Sequence, residues 1–309
     1  FVVGHGIPIW TLREPPFVEK HYPDNNKIIL GSAVLYSHKK EKAKMKHFLK
    51  IVTPIVIAVF LTQSASGYDP SKHQRDGEVA KRGDGKGKHH GYGRPKGPPA
   101  DILAHIKERT SPDGKGINLN DSQVGVKGIT LMAEIPELKN VVSMALKSNK
   151  LGDKGLSIMT QSDTFRHLEF LSLWDNGISA AGAEMLARGA NFNNLKELNL
   201  FKNNLGDKGV ILLVDSTNVA HLTSLDLGGN KISDEGALAI ASSPYLSKLK
   251  KLDLFDNKIS PRGLEALLQS QTLVSLEELD IVKNSIDVET AAKLGESTSL
   301  AKLKVFMAF

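Results

Sequence analysis

Cysteine is absent from all 309 residues. No disulfide framework can brace the chain, and no lipid-bearing cysteine can follow an export signal. Also missing are G-x-S-x-G, H-E-x-x-H, a P-loop and any spaced Cys/His cluster. A stand-alone hydrolase, zinc protease or nucleotide-cleaving site therefore finds no support, and no cofactor is expected. The repetitive part of the chain contains only His167 and His221. Long apolar runs are missing too. The longest, Ile51 to Thr62, falls short of the roughly 20 residues a membrane-spanning helix needs.

Charge is divided unevenly. Lys and Arg outnumber Asp and Glu by 9 to 4 in residues 1–67 and by 8 to 4 in residues 68–100. Residues 101–309 carry 23 against 26, a net of −3, so the overall +6 belongs to the N-terminal third. Binding of nucleic acid by residues 101–309 is disfavoured, because neutralising phosphates takes clustered Lys and Arg.

The first hundred residues divide into three stretches. Residues 1–44 lack periodicity and read as upstream sequence carried in frame ahead of Met45, or as a disordered extension. Residues 45–67 have the order of a secretory signal peptide: Lys46 and Lys50, an apolar stretch, then Ser64-Ala65-Ser66-Gly67. An uncleaved anchor, with the Lys39–Lys50 cluster on the cytoplasmic side, is the alternative. Residues 68–100 are rich in Gly, Pro, Lys and His and nearly free of aliphatic side chains. Such a segment cannot bury enough apolar surface to offset ordering, so a disordered linker is expected. It reads as a solvated spacer or as a basic tether for an anionic surface.

What is present is a repeat. One position reads Ser122, Asn149, Asn176, Asn203, Asn230, Asn257, Asn284, with a constant step of 27 residues. Pairs such as Leu171/Leu173, Leu198/Leu200 and Leu225/Leu227 precede it as short period-2 strands, each with one buried face. Stacked units would set these strands side by side in one parallel sheet. An asparagine amide placed where the chain turns inward can satisfy backbone groups that the turn leaves unpaired. Asn149, Asn176, Asn203, Asn230, Asn257 and Asn284 are thus expected to form a structural ladder.

Gly152, Ser179, Gly206, Ser233, Ser260 and Asp287 follow as helix N-cap candidates. Asp153, Asp207, Asp234 and Pro261 suit the first helical position through the helix dipole or a fixed φ. Gly155, Gly182, Gly209, Gly236 and Gly263 are expected where helix and sheet approach most closely. The ends degrade, as solenoid caps do. Ser122 replaces asparagine, Thr290 replaces glycine, and residues 101–109 suit a short covering helix. Leu303, Phe306 and Ala308 fall in the register of an eighth strand.

The pattern L-x-x-L-x-L-x-x-N-x-L/I-x-D-x-G resembles the ribonuclease-inhibitor-like class of leucine-rich repeat over about residues 114–309. The resemblance implies an α/β, right-handed horseshoe solenoid, with a parallel sheet on the concave face and helices on the convex face. The unit is short for that class, and asparagine stands throughout where some members alternate it with cysteine. The same class resembles the GTPase-activating proteins for the small GTPase Ran.

Within this register the concave residues are free of the repeat pattern. The position after the second strand leucine reads Lys147, Trp174, Phe201, Gly228, Phe255, Val282. Aromatic anchors are enriched in binding hot spots. They can equally lie flat and shield the sheet. Between the strand leucines run Asn118, Ala145, Ser172, Asn199, Asp226, Asp253, Asp280. Three carboxylates on adjacent strands suit a basic partner, or form a solvated face neutralised by Lys251, Lys202 and Lys283.

These observations point to a non-enzymatic protein-interaction module exported from a bacterial cell, secreted or periplasmic and monomeric. It would bind a protein with a basic surface through Trp174, Phe201, Phe255, Asp226, Asp253, Asp280, Lys147 and Asn199. Two other readings remain open: a GTPase-activating regulator, and an envelope protein held through residues 68–100.

Overall fold

The computed structural model describes residues 98–308, together with strands β1 (Lys27–Leu30) and β2 (Ala33–Tyr36). The chain divides into two compact units, residues 1–53 and 54–309. In the first, β1 and β2 pair antiparallel, from Lys27 opposite Tyr36 to Leu30 opposite Ala33. The signal-like segment 45–67 and nearly all of the linker lie outside the described residues. Among the described residues, no helix is long and apolar enough to cross a membrane.

Among the described residues of the second unit, the first element is α1 (Ile102–Glu108), after which strand and helix alternate. In order come β3 (Gly116–Asn118), α2 (Gly125–Ala133), β4 (Ser143–Ala145), α3 (Gly152–Gln161), β5 (Phe170–Ser172) and α4 (Ala180–Arg188). There follow β6 (Glu197–Asn199), α5 (Gly206–Val214), β7 (Ser224–Asp226), α6 (Asp234–Ser242), β8 (Lys251–Asp253) and α7 (Pro261–Leu268). The last elements are β9 (Glu278–Asp280), α8 (Val288–Glu296) and β10 (Val305–Met307). Strands β3 to β10 form one parallel sheet in chain order. Every register pair is 27 residues apart, as in Leu198 opposite Leu225 and Leu225 opposite Leu252. The repeat length therefore sets the register, and the leucines of all units fall into one buried column. The sheet lines the concave side of the solenoid and the helices its convex side.

Leucine burial supplies the driving force, at roughly 1.5–3 kcal/mol for each fully buried side chain. Leu171, Leu173, Leu200, Leu227 and Leu254 have essentially no exposed surface, nor do Phe165 and Phe192 at the return to the next strand. One three-residue strand and one short helix cannot close such a core alone. Each unit depends on its neighbours, which is the general condition of solenoids.

Three polar columns join the units. The first is the asparagine column. Asn203 Oδ1 accepts from the Asn176 and Ile178 amides at 3.1 and 3.0 Å, and its Nδ2 donates to the Leu173 and Leu200 carbonyls. Asn149, Asn176, Asn230 and Asn257 are buried in equivalent positions, and Asn284 is partly buried.

The second column links helix starts. Asp234 Oδ1 accepts from the Ser260 and Gly263 amides at 2.8 and 3.1 Å, and its Oδ2 from the Ser260 hydroxyl at 2.6 Å. Asp207 does the same for Ser233 and Gly236, and Asp153 holds Ser179. These aspartates cap the helix of the next unit as well as facing the dipole of their own.

Their position also revises the expected role of the glycine column. A Cβ on Gly182 would lie 2.4 Å from Asp153 Oδ1 and 2.6 Å from Ile178 Cγ2. A Cβ on Gly263 would lie 2.5 Å from Asp234 Oδ1. The tight approach is to the preceding helix start and to the helix's own turn, not to the sheet.

The third column closes helix C-termini. Asn218 Nδ2 donates to the Leu186, Ala187 and Gly189 carbonyls, and Asn191 Nδ2 serves the preceding helix likewise. Thr272 and Ser270 donate to Ala241, answering the carbonyls a helix end leaves open.

At the N-terminal end α1 covers the first unit with Ile102 and Ile106, and Thr110 bridges antiparallel to Ile117. His105 Nε2 lies 2.9 Å from Ser122 Oγ, at the position where later units carry asparagine. At the other end β10 pairs with β9, and Phe306 enters the leucine column opposite Leu279.

Candidate partner-binding face

Each unit turns at the end of its strand through a left-handed residue. Asp121, Ser148, Asp175, Lys202, Gly229, Asp256 and Lys283 all have φ between 54° and 66°. Only Gly229 adopts this without steric cost; elsewhere the cost is on the order of 1 kcal/mol. The turn sends the following asparagine inward and leaves the residue before it on the concave face. That residue belongs to the column of Lys147, Trp174, Phe201, Gly228, Phe255 and Val282.

The rings in this column are partly buried and in mutual contact. Trp174 and Phe201, on adjacent strands, meet edge to face with centroids 4.8 Å apart. Phe201 and Phe255 stack at 6.1 Å although β7 lies between their strands. Gly228 is the reason. A Cβ there would lie 2.5 Å from Phe201 Cδ2, so only glycine lets Phe201 lean across β7 toward Phe255. What reads as a gap in the sequence is the seat of a continuous row.

Lysines cover this row. Lys147 Nζ lies 4.3 Å from the Trp174 ring centroid, Lys202 Nζ 5.5 Å from Phe201, and Lys283 Nζ 4.9 Å from Phe255. Each contact is worth about 0.5–1 kcal/mol at an exposed site. Lys202 and Lys283, expected to neutralise the acidic column, thus sit over rings. Lys251 bonds Glu278 at 2.8 Å.

The acidic column lies two residues back along each strand. Asn199 Oδ1 accepts from the Phe201 amide at 2.9 Å. Asp226, Asp253 and Asp280 accept from the Gly228, Phe255 and Val282 amides at 3.1, 2.9 and 2.9 Å. Asn118 does so for Asn120. In five of the seven units a side-chain oxygen of this column therefore caps the strand end, a task amide and carboxylate perform alike, whereas Ala145 and Ser172 stand at the other two positions. Asp226 is buried, and its Oδ2 accepts from Asn199 Nδ2 at 2.8 Å. The structure brings Trp174, Phe201 and Phe255 together, sets Asp226, Asp253 and Asp280 beside them, and places Lys147 at the row's end. Among the described residues, no cluster of His, Asp or Glu is arranged to hold a metal ion.

A family model described as Leucine Rich repeat matches residues 166–187, 193–214, 220–241 and 245–268. The repeats are leucine-rich repeats. The first three matched segments begin 27 residues apart, in step with the asparagine column. No curated protein matches the chain. Among solved structures, internalin C2 from Listeria monocytogenes is similar over 63% of this chain and 79% of its own, at 21% identity and a TM-score of 0.39. A plant ice-binding protein is similar over 59% of this chain and 51% of its own, at 16% identity and a TM-score of 0.32. A TDR receptor is similar over 62% of this chain and 30% of its own, at 21% identity and a TM-score of 0.36. This chain thus spans about half of the ice-binding protein and under a third of the receptor. At such identities nothing about ligands passes from one leucine-rich-repeat protein to another.

Proposed function

We propose that this leucine-rich-repeat domain is a non-catalytic protein-interaction module of an exported protein, and that its partner presents a basic surface to the concave face. The aromatic row Trp174, Phe201 and Phe255 supplies the apolar anchor. Asp226, Asp253 and Asp280 supply the charge, with Asn199 and Lys147 at the margins. Export rests on the charged, apolar and small-residue order of residues 45–67.

One observation carries the reading. The column that caps strand ends holds asparagine at 118 and 199 and aspartate at 226, 253 and 280, with the same backbone bond in each case. The capping bond is served by either residue, with Asp226 also accepting from Asn199 Nδ2, and adjacent like charges cost something. Aspartate at three successive units is therefore attributed to a partner.

The test compares immobilised full-length chain with its Trp174→Ala/Phe201→Ala variant in affinity capture. Proteins held by the wild type should be lost from the variant while its thermal unfolding stays cooperative. Full retention by the variant would remove the concave face from the reading.

A further inference from the structure

The asparagine column contains one chemically reactive pair. Asn-Gly occurs once in the 309 residues, at Asn176-Gly177. We infer that Asn176 is a self-modification site: when the turn around it opens, its side-chain amide is lost to attack by the Gly177 backbone nitrogen, and the solenoid cannot close properly there again. No partner takes part, so the site stands or falls apart from the concave-face reading.

In the first step solvent base takes the Gly177 amide proton, and the nitrogen bonds to Asn176 Cγ. The Cγ–Nδ2 bond breaks and ammonia leaves, which closes a cyclic imide. Water then opens the ring. Addition at Cγ gives aspartate, and addition at the main-chain carbonyl carbon gives isoaspartate, whose chain runs through the side chain. Nothing is oxidised or reduced, and water is the only co-reactant.

Attack requires the following nitrogen to reach Cγ, and a Cβ on that following residue stands in the way. Glycine has none. Every other ladder asparagine precedes a residue with a side chain: Lys150, Asn204, Lys231, Lys258 and Ser285. Gly177 is also exposed, so water reaches the imide once it forms.

The closed solenoid holds the same amide out of reaction. Asn176 Oδ1 accepts from the Asn149 and Leu151 amides at 3.1 and 3.3 Å. Its Nδ2 donates to the Leu146 and Trp174 carbonyls at 2.9 and 3.1 Å, and the residue is buried. Carrying Cγ to the Gly177 nitrogen rotates the amide out of this slot and leaves buried groups unsatisfied. Reaction therefore proceeds from molecules in which this unit has opened locally.

Either product blocks reclosure. Aspartate has no donor for the Leu146 and Trp174 carbonyls and brings a charge into a buried slot. Isoaspartate lengthens the main chain between β5 and α4, where the repeat admits no extra atom without losing register. Prolonged opening of this one unit becomes irreversible, and its persistence is a matter of rates.

Full-length protein is incubated in mildly alkaline buffer without urea, near the urea midpoint and well above it. Peptide mass mapping follows the amide-to-acid mass gain at each asparagine. Above the midpoint Asn176 should convert about tenfold faster or more than any other ladder asparagine, with isoaspartate as the main product. Without urea its conversion should slow by about fiftyfold or more, and near the midpoint it should track the unfolded fraction. Gly177→Ala strains a turn whose φ is 70° and so favours opening. It should nevertheless slow conversion about tenfold in urea, a comparison made on unfolded chains that does not depend on the variant folding. Wild type held briefly in urea should recover its midpoint on dilution, whereas wild type held until Asn176 has converted should refold with a lowered one. Equal conversion of Asn176 with and without urea, conversion spread evenly over the ladder, or an unchanged midpoint after conversion each overturns the inference.

Discussion

Two columns step through the repeats at the same 27-residue interval with different reach, the inner one of asparagines and the concave one polar except at Ala145. Asparagines 149 to 284 bond between units: Asn203 accepts from Asn176 and donates to Leu173, both in the preceding repeat. The concave column caps its own strand ends through one oxygen, as when Asp253 accepts from the Phe255 amide, and joins neighbouring units where Asn199 donates to Asp226. The inner column uses donor and acceptor together, which an amide supplies and a carboxylate does not. The capping bond of the outer column needs an acceptor alone, so asparagine and aspartate serve that bond alike. Residue choice in the inner column therefore reports architecture, and in the outer column it reports what the surface is for.

Mirror-image substitutions put this contrast to the largest strain. Asn203→Asp keeps the acceptor for Asn176 and Ile178 but loses the donor, and it sets a buried charge against the Leu173 and Leu200 carbonyls. Each buried group left unsatisfied costs about 1–3 kcal/mol, more when charged. A loss of about 3–5 kcal/mol is expected in urea unfolding. A loss under 1 kcal/mol would mean that the inner column tolerates exchange as the outer one does.

The clamps between helix starts are further bonds from unit to unit and should behave like the inner column on a smaller scale. Gly182→Ala places a methyl against Asp153 Oδ1 and Ile178, and overpacking of this kind costs about 2 kcal/mol. Gly209→Ala makes a fair control, since its nearest contacts lie at 3.1 Å and it sits at a junction with Ala180 and Gly206 in place of the clamp pair. Its effect should be clearly smaller in the same unfolding assay.

Asp234→Asn should cost about 1–2 kcal/mol through loss of charge-assisted bonds to Ser260 and Gly263. Burial on its own raises the Asp234 carboxyl, but the Ser260 hydroxyl, the Ser260 and Gly263 amides and the Arg262 charge together hold it below the ordinary aspartate value. A pKa lower in the folded state means stability that is full above the unfolded value, about 3.9, and lost as pH falls through the folded one. The wild type should therefore lose an increment of melting temperature below about pH 4 that Asp234→Asn lacks. Parallel acid slopes for the two proteins would count against the clamp.

Most of the architecture could be read from residue spacing, because a fixed step of 27 aligns leucines with leucines and asparagines with asparagines. The covering helix over Ile102–Glu108 was legible for a similar reason, since Ile102 and Ile106 fall one helical turn apart. The left-handed column was not, since Gly229 is its only glycine and Asp121, Ser148, Asp175, Lys202, Asp256 and Lys283 give no compositional sign of φ near 55°. Asp207 and Asp234 look like ordinary first-turn acids, and their reach into the next helix depends on how closely the units stack. The Ser216, Asn218, Ser270 and Thr272 caps resemble loop composition. On the concave face the two columns could be named in advance, but the role of Gly228 follows from the stacking of Phe201 and Phe255. Lys202 and Lys283 belong to the turn column, and nothing in their spacing tells that their long stems fold back over rings.

The smallest stability effect is the most informative about function. Asp253→Asn retains the acceptor for the Phe255 amide, as Asn199 shows for Phe201. It also removes one of three like charges on adjacent strands, which slightly favours the folded state. Unfolding free energy should change by about 0.5 kcal/mol or less, within the range of surface substitutions. The same substitution removes a carboxylate from the partner face, so capture of basic partners should weaken while the urea midpoint holds. A destabilisation above about 2 kcal/mol would show that the carboxylate serves the fold, leaving the acidic column no separate claim on a partner. Unchanged stability with weakened capture would separate the two columns as the hydrogen bonds do: an inner one that fold chemistry dictates, and an outer one that a ligand has shaped.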